Sequence, residues 1–293
     1  MIVMNLKGGL GNQLFQYALG RHLSLKLNTK LALDTSSFES DPLRTYRLNS
    51  FKICAEIIPP KPYSIKSKIL KGLRSSRNPI NKIFKSENSI RENDFPFDAG
   101  ILNTPDNYFL DGYWQSEKYF KEIEEIIRLD LTLADELPPA LKMLEDEIQN
   151  NTSVSIHVRR GDYANNPVTT AFHGLYSAQW YFNATQKMKG YVANPHFFIF
   201  SDDYEWVKAN LILDAPCTYI QPSPDGKEAY DLYLMSRCKH NIIANSSFSW
   251  WAAWLNQNQN KKIIAPARWF VGGHSDTRDL IPDNWIRMED HDN

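Results

Sequence analysis

The stretch between residues 154 and 265 limits most sharply what this chain can fold into, because short apolar segments alternate there with segments of helical periodicity. Strands are expected at 154–158, 196–200, 217–220, 241–244 and 262–265, and helices at 177–189, 204–210, 227–239 and 248–257. Such a βα rhythm predicts a parallel sheet with helices on both faces. The chain also opens in this way. Ile2 to Leu6 reads as a strand, Gly8-Gly9-Leu10-Gly11 as a turn, and 12–27 as a helix with Leu14, Phe15, Ala18, Leu19 and Leu23 at helical spacing. A strand at 31–34 completes a βαβ unit. Another strand at 108–110 feeds a helix expected from Ser116, its cap, to about Ile127. After Glu136-Leu137-Pro138-Pro139 comes a short polar helix to about Gln149. The expectation is an α/β protein of two Rossmann-type domains, 1–150 and 151–293, with parallel sheets facing a central cleft. One large sheet is the alternative that composition leaves open.

Composition removes several function classes. The 293 residues carry a net charge of −1, so bulk electrostatics give no argument for nucleic-acid binding. Hydrophobic residues make up 42%, enough for a sizeable core. The 8 Trp fit a protein that handles sugars and equally one that fills its core with rings. Cys54, Cys217 and Cys238 are widely spaced and form no C-x-x-C pair, which argues against a disulfide framework or thiolate zinc site and for a reducing compartment. No apolar run reaches membrane-spanning length, and the start is too short for a signal peptide, so a cytoplasmic protein is expected. Residues 61–91 carry nine Lys and Arg against the single acidic Glu87, with Ile65, Ile69, Leu70 and Leu73 at helical intervals. That pattern fits either a solvated helical insertion or a basic amphipathic helix in peripheral contact with an anionic membrane. The oligomeric state is left open.

Four motifs carry chemistry. Val154-Ser155-Ile156-His157-Val158-Arg159-Arg160-Gly161-Asp162-Tyr163 sends two guanidinium forks and Asp162 past the end of a strand, where ligands bind in open α/β sheets. The alternative is a surface Arg pair with Asp162 as its ionic partner. Phe197-Phe198-Ile199-Phe200-Ser201-Asp202-Asp203 delivers two carboxylates to a strand end, suited to a base N–H or a ribose hydroxyl, or to capping the next helix. Asn245-Ser246-Ser247-Phe248-Ser249-Trp250-Trp251 puts hydroxyls at a helix N-terminus, ready for phosphate, with the tryptophans packing on the sheet. Gly8-Gly9-Leu10-Gly11-Asn12-Gln13 lets a ligand approach backbone, or serves as a tight turn; with Leu14 where a third glycine would stand, it is no dinucleotide fingerprint. The first three together put Arg, base-reading carboxylates and phosphate-ready hydroxyls at three strand ends of one domain, which describes a nucleotide-diphosphate site.

These blocks, with Gly112-Tyr113-Trp114-Gln115-Ser116-Glu117-Lys118-Tyr119-Phe120, resemble the motifs of the α-1,2-fucosyltransferases (glycosyltransferase family 11), in family order and spread over nearly the whole chain. The resemblance implies a metal-independent, inverting enzyme of the two-domain GT-B class from the soluble bacterial branch, serving surface polysaccharide (O-antigen) synthesis. It implies transfer of L-fucose from GDP-fucose to the 2-hydroxyl of a galactose-terminated glycan, with 1–150 on the acceptor side and 151–293 binding the donor. Carried over by position, Arg159 grips the β-phosphate, His157 and Asp203 contact guanine or ribose, and Ser246, Ser247 and Phe248 close over the phosphates. Gly11 and Asn12 reach towards the donor from the N-terminal domain.

Charge then dictates the chemistry. The departing diphosphate needs a cation, and Arg159 with the helix at Ser246 supplies it. The one Asp-x-Asp triplet, Asp290-His291-Asp292, sits in an acidic tail and reads as solvated rather than as a metal site. For the base that takes the acceptor proton, Asp162, Asp111 and Glu117 are all candidates, as is the leaving phosphate itself. A different GDP-sugar enzyme, a protein O-fucosyltransferase and a non-catalytic nucleotide-sugar-binding protein remain the rival readings.

Overall fold

The computed structural model describes residues 1–59, 88–161, 164, 166–224, 226–271 and 276–290. The chain divides into two compact units, Met1–Leu131 and Thr132–Asn293. Each is a parallel-sheet α/β domain, as the alternation predicts.

In the first unit, β1 (Ile2–Asn5), β2 (Leu31–Asp34), β3 (Glu56–Ile58), β4 (Ser89–Arg91) and β5 (Phe109–Asp111) form a sheet of order β3-β2-β1-β5-β4. Every pairing is parallel. Between β1 and β2 runs α1 (Leu10–Lys26). The Gly8–Gly11 turn that starts it is held by glutamines with fully buried side chains. Gln13 donates to the Gly8 and Thr45 carbonyls, and Gln16 to those of Lys7 and Gly112. The helix expected from Ser116 to Ile127 is broken. Two 3-10 turns, Glu117–Tyr119 and Lys121–Ile123, precede the short α2 (Glu124–Asp130). Tyr119 and Phe120 are both buried, whereas consecutive residues of a regular helix point about 100° apart. The chain bends at Phe120, φ −141° and ψ 9°, to bury both.

The second unit holds β6 (Ser153–Val158), β7 (His196–Ser201), β8 (Cys217–Ile220), β9 (His240–Ile242), β10 (Ile263–Pro266) and β11 (Ile286–Met288), in the order β11-β10-β9-β6-β7-β8. Its helices are α3 (Pro139–Asn150), α4 (Pro167–His173), α5 (Ala178–Lys189), α6 (Tyr204–Asn210), α7 (Glu228–Arg237) and α8 (Ser247–Leu255). The central strand β6 is buried at all six positions. Val154, Ile156 and Val158 join Trp180, Tyr181, Ala184 and Met188 of α5 in one core cluster, while Ser155 and His157 fall on the opposite side of the pleat. Trp250, Trp251 and Trp254 are at most 3% exposed, so the packing role expected for them is the observed one.

The boundary expected near residue 150 lies instead at Leu131. The reason is α3, which is bound to the second unit through Glu145. This 3%-exposed carboxylate accepts from Tyr233 Oη at 2.7 Å and Arg237 Nε at 3.1 Å, both on α7. The basic stretch 61–91 lies outside the described residues except for its last four positions, of which Ser89–Arg91 form β4. No helix among the described residues is long and apolar enough to cross a membrane.

Candidate functional site

Register alone brings the C-terminal motifs together. Val158 pairs with Ser201, so the next residues along β6 and β7, Arg159 and Asp202, emerge side by side. Arg159 Nη1 lies 2.8 Å from Asp202 Oδ2, with both side chains roughly a quarter exposed. The other oxygen of Asp202 accepts the backbone N–H of Arg160 at 2.8 Å. One carboxylate therefore holds both the Arg159 fork and the backbone that follows it. Gly161 is a consequence: a β-carbon there would stand 2.7 Å from Asp202 Oδ2. The alternative reading pairs the arginines with Asp162; the carboxylate beside Arg159 is that of Asp202. Asp162 lies outside the described residues.

The two arginines do different work. Arg160 turns onto the ring of Trp206, 3.9 Å from guanidinium to centroid, and its Nε meets Asp203 Oδ2 at 3.3 Å. Asp203 also caps α6, accepting the Trp206 N–H at 3.3 Å. The capping alternative therefore holds for Asp203, which spends its carboxylate on Arg160 and the helix. This leaves Arg159 as the arginine at the candidate site.

His157 sits just below Arg159, 4% exposed, and its Nδ1 meets no hydrogen-bond partner among the described residues. Burial pushes its pKa down to about 4; the Asp202 charge works against that and the Arg159 charge with it. The imidazole is thus neutral at ordinary pH, with a buried nitrogen that the described residues leave without a hydrogen bond. Its ring lies 5.5 Å from that of Phe248, in the first turn of α8. Ser246 caps this helix by accepting the Phe248 N–H at 3.3 Å. Asn245, directly before the cap, ties the strand end down by donating to the His173 and Trp269 carbonyls at 2.7 and 3.1 Å. Ser247 and Phe248 are half-exposed. Arg159, His157, Ser246, Ser247 and Phe248 thus lie on adjoining strand ends, β6 and β9, whose register is fixed by the pairing of Ile156 with Ile242. A guanidinium and the positive end of a nine-residue helix form a cationic anchor suited to a diphosphate. Sequence reading missed the contribution of Tyr181, a buried tyrosine of α5 whose side chain bonds the Arg159 backbone and whose hydroxyl burial holds protonated.

The remaining predicted residues are in the first unit. Gly11 is buried in the first turn of α1, and Asn12 Oδ1 accepts from Gln115 Nε2 at 2.7 Å. Of the candidate bases, Asp111 accepts from Lys7 Nζ at 2.7 Å, Asn5 Nδ2 at 2.9 Å and Arg91 Nε at 3.2 Å. Burial works against ionisation there, but these partners outweigh it and hold the carboxyl below its usual range. Glu117 pairs with Lys121 at 3.0 Å. Among the described residues no group of three or more His, Cys, Asp or Glu is arranged to hold a metal ion.

Comparison with known proteins extends this geometry. The family model described as Glycosyl transferase family 11 matches residues 1–289. The chain is 34% identical over 298 residues to an alpha-1,2-colitosyltransferase of Escherichia coli, covering 99% of each. It is 32% identical over 304 residues to the O-antigen biosynthesis glycosyltransferase WbnK of Escherichia coli, covering 97% of this chain and 99% of that one. A galactoside 2-alpha-L-fucosyltransferase, Sec1 of Mus musculus, is 24% identical over 263 residues, covering 87% of this chain and 64% of that protein.

Proposed function

The chain belongs to glycosyl transferase family 11, and from that premise we propose that it moves L-fucose from GDP-fucose to the 2-hydroxyl of a terminal β-galactoside, with inversion at the anomeric carbon. The observation that carries this reading is the Arg159–Asp202 pair, 2.8 Å apart, on the strand adjoining the Ser246-capped helix. The galactoside fucosyltransferase among the relatives supports the choice of sugar, and the O-antigen glycosyltransferase supports a place in surface polysaccharide synthesis.

The acceptor 2-oxygen attacks the anomeric carbon as the bond to the β-phosphate oxygen breaks, and the bonding pair leaves with GDP. Negative charge grows on the diphosphate. Arg159 meets it with a fork that Asp202 has already oriented, and the start of α8, with Ser246, Ser247 and Phe248, closes over the phosphates. Neutral His157 presents its ring to the nucleoside, and Asp203 the carboxylate it shares with Arg160 and the α6 cap. Gly11 and Asn12 contribute to the donor from the first unit. The proton of the acceptor hydroxyl passes to a base, for which Asp162 is the nominee. Asp111, already carrying three donors, is poorly suited to the task. With this cationic anchor the reaction needs no metal.

A second reading is favoured by the colitosyltransferase relative. Colitose is fucose without its 3-hydroxyl, so both donors share the GDP and the 6-deoxy sugar. The experiment is a transfer assay on lactose and N-acetyllactosamine with GDP-fucose, GDP-colitose, GDP-mannose and UDP-galactose in excess EDTA, the product linkage being read by NMR. Fucose on O2 of galactose is expected. Preference for the 3-deoxy donor moves the assignment to the second reading. Activity that EDTA abolishes and Mn²⁺ restores refutes the cation assignment.

A further inference from the structure

The segment following β5 is the one family-like block that the donor site leaves unused. β4 and β5 end side by side, Arg91 opposite Asp111. Glu92, next in the chain, grips the backbone beyond β5: Oε2 accepts the Tyr113 N–H at 2.6 Å and Oε1 the Trp114 N–H at 2.9 Å. Trp114 has φ +56°, a strained backbone conformation for so bulky a residue. Its ring, 1% exposed, is locked edge-on to Tyr119 at 5.9 Å. Gly112 completes the arrangement, because a β-carbon there would stand 2.5 Å from Glu92 Cβ and 2.6 Å from the Trp114 ring. Strain of this kind persists only where its surroundings over-determine it, and such places are concentrated at functional sites.

What the strained loop presents is Tyr113. Its residue surface is 39% exposed although its neighbour Trp114 is buried. Lys7 Nζ lies 4.9 Å from the ring centroid and bridges to Asp111 Oδ1 at 2.7 Å, an oxygen that also accepts from Asn5 Nδ2 at 2.9 Å. An open aromatic ring beside an ammonium, an amide and a carboxylate is the chemistry that holds a pyranose. The C–H face of the sugar covers the ring, and its hydroxyls exchange hydrogen bonds with the polar groups. The location, at the carboxyl ends of parallel strands, is where open α/β sheets bind ligands.

We propose that Tyr113, positioned by Glu92, is the stacking platform for the terminal pyranose of the acceptor, with Lys7, Asn5 and Asp111 as partners for its hydroxyls. The identity of that sugar as a β-galactoside rests on the function proposed above. Glu92 is a positioning residue: it touches no sugar and acts through the Tyr113 and Trp114 backbone.

The test uses the full chain saturated with GDP, titrated with methyl β-galactoside under saturation-transfer NMR and assayed separately for transfer to lactose. Tyr113→Ala is expected to abolish saturation transfer and to raise the lactose KM about tenfold, with GDP affinity and GDP-fucose hydrolysis unchanged. Tyr113→Trp restores both signals, since stacking needs a ring and not a phenol. Glu92→Gln, which keeps one acceptor oxygen for the two N–H groups, raises the acceptor KM while sparing kcat. Should Tyr113→Ala fail to fold, Tyr113→Leu keeps the apolar bulk without the ring and carries the same expectation. Unaltered saturation transfer and KM without the ring overturn the platform, even where wild-type transfer to lactose upholds the galactoside reading. Wild-type protein that gives no saturation transfer to any galactoside also overturns it. Ring-dependent binding without transfer to lactose upholds the platform and sinks the proposed transfer.

Discussion

At the residue scale the decisive group is Asp202, because three features of the site depend on its two oxygens. Oδ2 orients Arg159, Oδ1 fixes the Arg160 backbone, and the missing β-carbon of Gly161 leaves room for both. Arg159→Ala should lower kcat roughly 10²–10³-fold, as loss of one preorganised charge stabiliser does. Arg159→Lys should recover little of it, a point charge being no substitute for an oriented fork. Steady-state kinetics with GDP-fucose check both, and near wild-type kcat/KM in the alanine variant would remove Arg159 from its role. Gly161→Ala tests the geometry without touching a charge. The new methyl displaces Asp202, so kcat/KM should fall roughly ten- to a hundredfold at nearly unchanged melting temperature. His157 gives a pH signature. Its pKa is pushed from 6.5 down to about 4 by burial, so between those values the unfolded chain binds the extra proton and the folded chain resists it. Stability therefore holds above pH 6.5 and drains away as the pH falls towards 4, by on the order of 3 kcal/mol in all. An imidazole Cε1–H titration by NMR should show a midpoint near 4; one near 6.5 contradicts the burial account.

At the scale of elements, α3 shows how one carboxylate can decide which unit a helix joins. Glu145 accepts from Tyr233 and Arg237 of α7 and from its own neighbours Lys142 and Gln149. Burial alone would raise its pKa, yet the Lys142 and Tyr233 hydrogen bonds and the charges of Lys142 and Arg237 carry it below the usual range. Glu145→Ala should cost about 2 kcal/mol, read from the denaturant midpoint. In the wild type this contribution is present above the unfolded carboxylate value and is lost as the pH falls through the lowered folded value. A midpoint that does not move would show α3 held by its apolar face alone. No sequence pattern announces such a contact, because it joins residues 88 and 92 positions apart. The strands β6 to β10 of the second unit were legible, since apolar runs such as 197–200 cannot lie at the surface. β3, β4 and β11 were not: Glu56, Ser89, Arg91 and Arg287 are exposed and break up these three short strands, so no apolar run marks them. The break at Phe120 was hidden for the opposite reason, since adjacent buried rings read as part of a helical stripe until the core demands both. At the site, Arg159 and Ser246 were legible from residue type and strand end. The Asp202 clamp needed the register of β6 on β7, which only the folded sheet supplies.

On the scale of the whole molecule, a net charge of −1 gives an anionic nucleotide no general attraction, so its affinity must come from local charge. The local charge proposed for the diphosphate, Arg159 and the start of α8, lies in the second unit, which has its own six-stranded sheet and its own core. Gly11 and Asn12, the other proposed donor contacts, lie in the first, where Asn12 already accepts from Gln115. The division makes a prediction about how donor affinity is distributed. A fragment spanning Thr132–Asn293, the second unit, should bind GDP within about tenfold of the full chain by calorimetry, because the proposed contacts to base and phosphate travel with it. The same fragment should hydrolyse no GDP-fucose if Asn12 acts on the sugar, and Asn12→Ala in the full chain should then reproduce that defect with GDP affinity intact. A fragment that folds with a cooperative melt but binds GDP more than a hundredfold more weakly would move the decisive donor contacts to the first unit. The cationic strand end at Arg159 would then be an anchor for something other than the nucleotide.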